Sequence, residues 1–355
     1  MRNRQSKAMM TIPYRYRRGL KRFLITLAVL TLVLVAAILS WMLWLSRYVI
    51  YTDEGAKIDF NLPFDYSQGE LAQFSTTAPS VPIVYGNTDD LLNPSTTQLT
   101  QLSGYVVTTE MLETKLPAVQ EALEQLPGEA TVLLDVKNLQ GEFAYPSSLG
   151  RGNEKIDTQA VSNLITSLKE KNCYLIARFS AFRDYWYFLE DEATRVPYGL
   201  PKKNGNGSLW PDTSVAGNLH YWFNPAAVGT QNYLVQVITE LRTLGFDEVV
   251  FNDFRFPATD DIRFEGDWEE TLRDTAKTLV QACGTESFAL SFVGGITTLP
   301  EGRCRVYLEN VAAADISQAV SKWELENPTA QLVFLTDLND TRYDAYGVLR
   351  PLPIS

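Results

Sequence analysis

The chain has 355 residues, 45% of them apolar, with 31 basic and 42 acidic side chains, one histidine and three cysteines. A single His220 argues against a histidine-based serine triad or a multi-histidine zinc site, and three cysteines without a C-x-x-C pair exclude a zinc ribbon or a disulfide-dense scaffold. A net charge of −11 argues against nucleic acid as a partner.

That charge is unevenly spread. Residues 1–22 carry eight basic side chains and no acid, and Phe23 to Ser46 then runs without a charge. About 20 apolar residues cross a bilayer as a helix, whereas the apolar core of a cleaved signal peptide has about 7–15. The stretch ends in Trp41, Met42, Leu43, Trp44 and Leu45, with tryptophans where an interfacial belt belongs. We therefore expect a cytoplasmic basic tail (1–22), a single transmembrane helix (23–46) and everything after it outside the cell, by the positive-inside rule. Residues 47–355 keep all 42 acidic and 23 basic side chains.

From Thr52 to Ser103 the sequence is rich in Ser, Thr, Asn, Gln and Pro and has no sustained period, so 47–103 is expected to be a stalk or lead-in. After Gly104, short apolar runs alternate with helical patterns. Strands are expected at Tyr105 to Thr108, Val132 to Val136, Tyr174 to Phe179, Val249 to Phe254, Phe288 to Val293, Val306 to Leu308 and Leu332 to Leu335. Helices are expected near Lys115 to Leu126, Thr158 to Lys171, Ala227 to Leu244, Trp268 to Cys283 and Asp315 to Glu326. Buried parallel strands read as continuous aliphatic runs, as VLLDV, YLIARF, EVVF and LVFL do. The alternation matches a (β/α)8 TIM-like barrel over 104–355; the competitor is a doubly wound open sheet, although no glycine-rich phosphate loop follows any strand. Seven strands are visible, which leaves the eighth missing, irregular or hidden near Tyr346 to Leu349.

Chemistry in such a barrel sits where strands end. The polar residues there are Glu110, Asp135, Lys137, Arg178, Asp184, Asn252, Asp253, Arg255, Glu309 and Asp337. Several carboxylates on one rim, with Arg and Lys among them, suit acid and base work on a sugar; they equally suit helix capping and ion pairing. The loop from Arg183 to His220 and just beyond adds Tyr185, Trp186, Tyr187, Phe188, Trp210, Tyr221 and Trp222. Such rings stack on sugar faces or close a core. His220 is expected to be a surface or packing residue. No metal cluster and no cofactor motif is present, and the cysteines are expected to stay unpaired.

The run from Gly245 to Pro257, GFDEVVFNDFRFP, resembles the signature GFDEIQFDYIRFP of a bacterial family of glycoside-hydrolase barrels of the α-amylase type. GYVVTT (104–109), VLLDVKNLQG (132–141) and IARFSAFRD (176–184) resemble its first three strand motifs, in order. The segment from Trp210 to Pro225 resembles its tryptophan loop. The resemblance covers roughly 104–295. It implies a glycosidase-like barrel acting on, or holding, extracellular or wall glycans.

At the family's strand-four Asp this chain has Asn252, with Asp253 next to it, and at its strand-five Asp it has Ser291. An amide is neither nucleophile nor acid. Asp253 would face away from the lumen unless a bulge or the strand's end turns it. The expected catalytic carboxyls are Asp253 as nucleophile or base and Asp135 or Glu309 as acid. The expected substrate contacts are Lys137, Arg178, Asp184, Trp210, Trp222, Asn252 and Arg255. The alternatives are a silent glycan-binding barrel and a scaffold of the cell envelope.

Overall fold

The computed structural model describes residues 49–52, 55–58, 99–190, 195–205, 207–214 and 219–354. The expected membrane span, 23–46, lies outside the described residues; among those described, no helix is long and apolar enough to cross a membrane. At the junction of that span with the expected stalk, Val49–Thr52 pairs antiparallel with Gly55–Ile58. This hairpin was not anticipated, although VIYT is composed of strand-forming side chains.

Residues 99–354 contain a closed barrel of eight parallel strands. They are β1 (Ser103–Val107), β2 (Thr131–Lys137), β3 (Tyr174–Ser180), β4 (Glu248–Asn252), β5 (Ala289–Val293), β6 (Val306–Glu309), β7 (Leu332–Leu335) and β8 (Gly347–Pro351). Each strand pairs with the next, and β8 returns to β1 with Val348 opposite Ser103. Closure rules out the open sheet, and the eighth strand is the tail segment.

The helices are α1 (Thr109–Thr114), α2 (Leu116–Glu124), α3 (Thr158–Glu170), α4 (Trp186–Glu190), α5 (Val228–Thr243), α6 (Trp268–Cys283), α7 (Ile316–Ser321) and α8 (Pro328–Gln331). The first expected helix, Lys115 to Leu126, is α2, with Pro117 in its opening turn; α1 precedes it and was not anticipated. Carboxylates cap two of the three longest helices: Asp157 accepts from Ala160 N at α3 and Asp267 from Glu270 N at α6, while Ala227 leaves α5 without a side-chain cap.

The strands read as unbroken apolar runs because both of their faces are buried. Leu102, Val106, Leu133, Ile176, Val250, Tyr307, Val333 and Leu349 fill the lumen. The alternate residues, among them Leu134, Leu175, Val249, Phe251 and Phe292, pack against helix residues such as Leu164, Leu168, Leu234, Val237 and Leu279. Each fully buried aliphatic side chain contributes about 1.5–3 kcal/mol. This alternation decides which polar residues reach the barrel's mouth. Cys173, Cys283 and Cys304 are buried and unpaired.

Candidate functional site

At the C-terminal ends of the strands, Asp135 of β2 lies opposite Arg178 of β3, and Ser180 lies opposite Asn252, the last residue of β4. The Arg178 guanidinium grips Asp135 with two bonds, Nε to Oδ1 at 2.6 Å and Nη2 to Oδ2 at 3.1 Å. Its Nη1 donates to Glu309 Oε1, at the end of β6, at 2.5 Å. Asp135 Oδ2 also accepts from the backbone N–H of Thr109 at 3.0 Å, at the start of α1. Burial alone would lower the basicity of Arg178, but Asp135 and then Glu309 outweigh it and hold the group above its usual value. One guanidinium therefore joins two carboxyls from opposite sides of the mouth. Asp135 and Arg178 are largely covered, at 15% and 13% side-chain exposure, whereas Glu309 is at 35%.

Asp135 and Arg178 open on a cleft of about 820 Å³, and Glu309, held by Arg178, is not among its lining residues. Asp135, Arg178, Ser180 and Asn252 line its floor end, and Glu113, Glu142, Lys155, Tyr185, Trp186 and Leu219 contribute to its walls. The walls are braced from behind. A register shift between Asp135 and Lys137 places Lys137 opposite Phe179. Its ammonium is buried with Asp184 at 2.8 Å and lies 5.8 Å from the centre of the Tyr233 ring of α5. Burial pushes the Asp184 carboxyl up, against the pull of Lys137. Asp184 Oδ1 accepts from Tyr187 N at 2.8 Å, and Gly141 (φ +90°) runs so close that a Cβ there would lie 1.9 Å from that oxygen. Gln140 O accepts from both Tyr185 N and Trp186 N at 3.0 Å. Lys137, which also lines the cleft, and Asp184, which does not, thus hold the two loops that carry the aromatic wall.

Trp186 is set by three neighbours. Its Nε1 donates to Glu142 Oε1 at 3.2 Å, Tyr185 meets it edge-on, and the Arg151 guanidinium lies 4.3 Å from its ring centre. Glu142, Glu113 and Lys155 did not emerge from the sequence as site residues. Glu142 has one legible signal, its place directly after Gly141 at the end of the second-strand motif.

Asp253 follows the end of β4 with φ +51°, so the strand's end does turn it. Its carboxylate accepts from Ser180 Oγ at 3.2 Å and lies 3.7 Å from Arg183 and 3.5 Å from Arg255. It sits behind Ser180 and is not among the residues lining the cleft. Trp222 is buried, donates to Asp212 Oδ2 at 2.8 Å, and has the Arg183 and Arg255 guanidinium groups 5.1 and 5.0 Å from its ring centre. Despite burial, Ser214, Trp222 and Arg183 hold Asp212 below the usual carboxylate range. His220 is a packing residue, fully buried, with Nδ1 3.2 Å from Leu139 O; burial and then Arg183 lower its basicity. Trp210 is half-buried against the main core and is likewise not among the residues lining the cleft.

Ser291 belongs to the other end of the lumen. Its Oγ donates to Glu248 Oε1 at 2.5 Å and accepts from Arg305 N at 3.0 Å. Glu248 also accepts from Tyr307 at 2.9 Å, from Tyr174 at 2.9 Å and from Arg305. Ser291 is therefore a floor residue here. A second carboxylate would face Glu248 there.

A family model described as "Putative glycosyl hydrolase domain" matches residues 105–284. No functionally curated protein matches the chain in sequence. Among solved structures it is similar to a hypothetical protein from Ruminiclostridium thermocellum (20% identity, 53% of this chain and 96% of that one, TM-score 0.42). It is also similar to the glycoside hydrolase domain of PelA from Pseudomonas aeruginosa (12%, 71% and 95%, 0.39). A third is an α-galactosidase from Lactobacillus brevis (10%, 71% and 38%, 0.47), so the chain spans well under half of that enzyme.

Proposed function

The chain belongs to this glycosyl hydrolase domain family, and on that premise we propose that it takes a glycan into the cleft at the barrel's mouth and acts on a glycosidic bond there. The observation that carries the reading is the convergence of Asp135, Arg178 and Asn252 on one open cleft, with Glu309 bound to the same Arg178 guanidinium. Hydrolysis of this kind needs one carboxyl that stays an acceptor and one that can deliver a proton. Asp135, engaged by three N–H donors, suits the role of nucleophile or base. Glu309 has one oxygen on Arg178 and is the more exposed, so its second oxygen is free to reach a substrate, which suits the role of acid. Arg178 orients both, and the Asn252 amide is a neutral hydrogen-bonding contact for a sugar hydroxyl. The role of nucleophile or base thus passes from Asp253, which stands behind Ser180, to Asp135.

A second reading, binding without hydrolysis, is favoured by Asn252 standing in the place of the family's carboxylate and by Arg178 engaging both remaining carboxyls. The proposal also includes the single N-terminal membrane span with the barrel outside the cell, supported by the basic 1–22 and the uncharged 23–46.

The test is turnover and binding by the full chain in detergent, over α- and β-linked oligosaccharides and wall glycan. Turnover lost in Asp135→Asn and in Glu309→Gln but kept in Asp253→Asn supports the assignment. Turnover lost in Asp253→Asn returns the role to that residue. Binding without turnover, with activity gained only in Asn252→Asp, selects the silent reading, and neither binding nor turnover refutes both. Proteolysis of the barrel from outside intact cells tests the orientation.

A further inference from the structure

Beside the cleft lies a second cavity of about 620 Å³, walled by Ser148, Gly150, Arg151, Gly152, Glu190 and Arg195. Its wall is fixed. The Glu240 carboxylate accepts from Tyr145 OH at 2.8 Å, Ser147 Oγ at 2.6 Å and Ser148 N at 2.9 Å, so one half-buried carboxylate pins the segment. Phe143 N donates to Arg151 O at 2.8 Å and Asn153 N to Phe143 O at 2.8 Å, tying the far end down. On the opposite side Arg195 donates to Tyr187 O at 2.9 Å, lies 4.3 Å from the Tyr187 ring centre, and pairs with Glu190 at 3.5 Å.

Arg151 links the two cavities. It walls the second one, while its guanidinium lies over Trp186 and its Nε stands 4.0 Å from Glu142, and both of those line the first. Each cavity falls within the roughly 300–1,000 Å³ that holds a drug-sized ligand, which is more than one sugar unit needs. Both are polar, walled by groups that donate to and accept from hydroxyls, and Trp186 supplies the apolar face between them.

We propose that the cleft continues past Trp186 and over Arg151 into this groove, so that its ligand is an extended chain of several sugars with one ring stacked at Trp186. This rests on the glycan reading of the cleft and adds the length of the ligand to it. Such a site gains affinity with each sugar it accommodates, until the groove is full.

The experiment is calorimetric titration of the full chain in detergent with malto-, cello- and chito-oligosaccharides of two, four and six sugars. Thermal melting of each variant checks its folding. For whichever series binds, the hexamer is expected to bind at least about tenfold more tightly than the dimer. In Arg151→Gln and in Gly152→Leu that hexamer-to-dimer ratio falls toward one. Gly152 is a usable site because a Cβ there would meet only Thr158 Cγ2, at 3.4 Å. Equal affinity for dimer and hexamer in the wild type overturns the extended groove while leaving the cleft reading intact. A length effect that survives in both folded variants places the extra contacts elsewhere and also overturns it. No binding by any probe overturns the glycan reading itself, and this inference with it.

Discussion

The two ends of the lumen use the same device to different effect. At the N-terminal floor Arg305 meets Glu248, and at the C-terminal mouth Arg178 meets Asp135 and Glu309. The floor is sealed: the side chains of Arg305 and Glu248 are 1% and 0% exposed. Arg305 spends its remaining donors on Ala330 O at 2.9 Å and Thr100 O at 3.1 Å, and Glu248 fills both oxygens with Ser291, Tyr307 and Tyr174. The mouth keeps lone pairs facing a cleft. An ion pair with every partner supplied by the protein can only hold the fold, whereas one that is incompletely enclosed can trade a partner for a ligand. In parallel barrels stability and chemistry divide in this way between the two faces.

The sharpest way to break the comparison is Glu248→Gln. It strands the Arg305 charge in the lumen and should cost about 3–5 kcal/mol of unfolding free energy, read by urea denaturation. A cost near that of an exposed pair would show that the floor is no rivet. At the mouth, Arg178→Gln should cost less, about 1–2 kcal/mol, because its partners can turn to water, yet it should weaken glycan binding at least about tenfold. A larger stability loss than at the floor would invert the comparison. Ser291→Ala removes one bond from Glu248 and leaves Arg305 N without its acceptor; about 1–2 kcal/mol of stability should go, with glycan affinity unmoved.

The smallest effect concerns His220, packed behind the cleft wall. Burial, then Arg183, lowers its basicity in the folded chain, so the unfolded chain binds its proton more readily. Its contribution is fully present above the ordinary histidine value of about 6.5 and fades as pH falls below it. The urea midpoint of the wild type should therefore drop between about pH 6.5 and 5 more steeply than that of His220→Gln. Parallel slopes would remove His220 from the account.

Much of the barrel was legible because strands with both faces buried leave continuous apolar runs; β7 lies where LVFL predicts it. The eighth strand, at Gly347–Pro351, was legible only as one option near Tyr346 to Leu349, because Gly347, Arg350 and Pro351 interrupt GVLRP and its pairing with β1 is made across the whole domain. Asp135, Arg178, Asn252 and Glu309 were legible from strand ends alone. The pairing of Lys137 with Asp184 was not legible, because the register shift between Asp135 and Lys137 cannot be seen in sequence. The turn at Asp253 depends on a positive φ that an aspartate rarely adopts. Among seven neighbouring aromatics, nothing in the sequence separates Trp186 in the cleft from Trp222 in the core. The Glu248–Arg305 pair joins residues 57 positions apart and carries no local sign.

The acceptance of Arg305 by Thr100 O bears on where the folding unit can be cut. Leu99 and Leu102 are buried as well, so a fragment opened at Ser103 would keep every strand and still unplug the base of the cylinder. The family match stops at residue 284, before the last four staves. A clone trimmed to those limits would be half a cask, and any assay of its chemistry would be run on a vessel that cannot close.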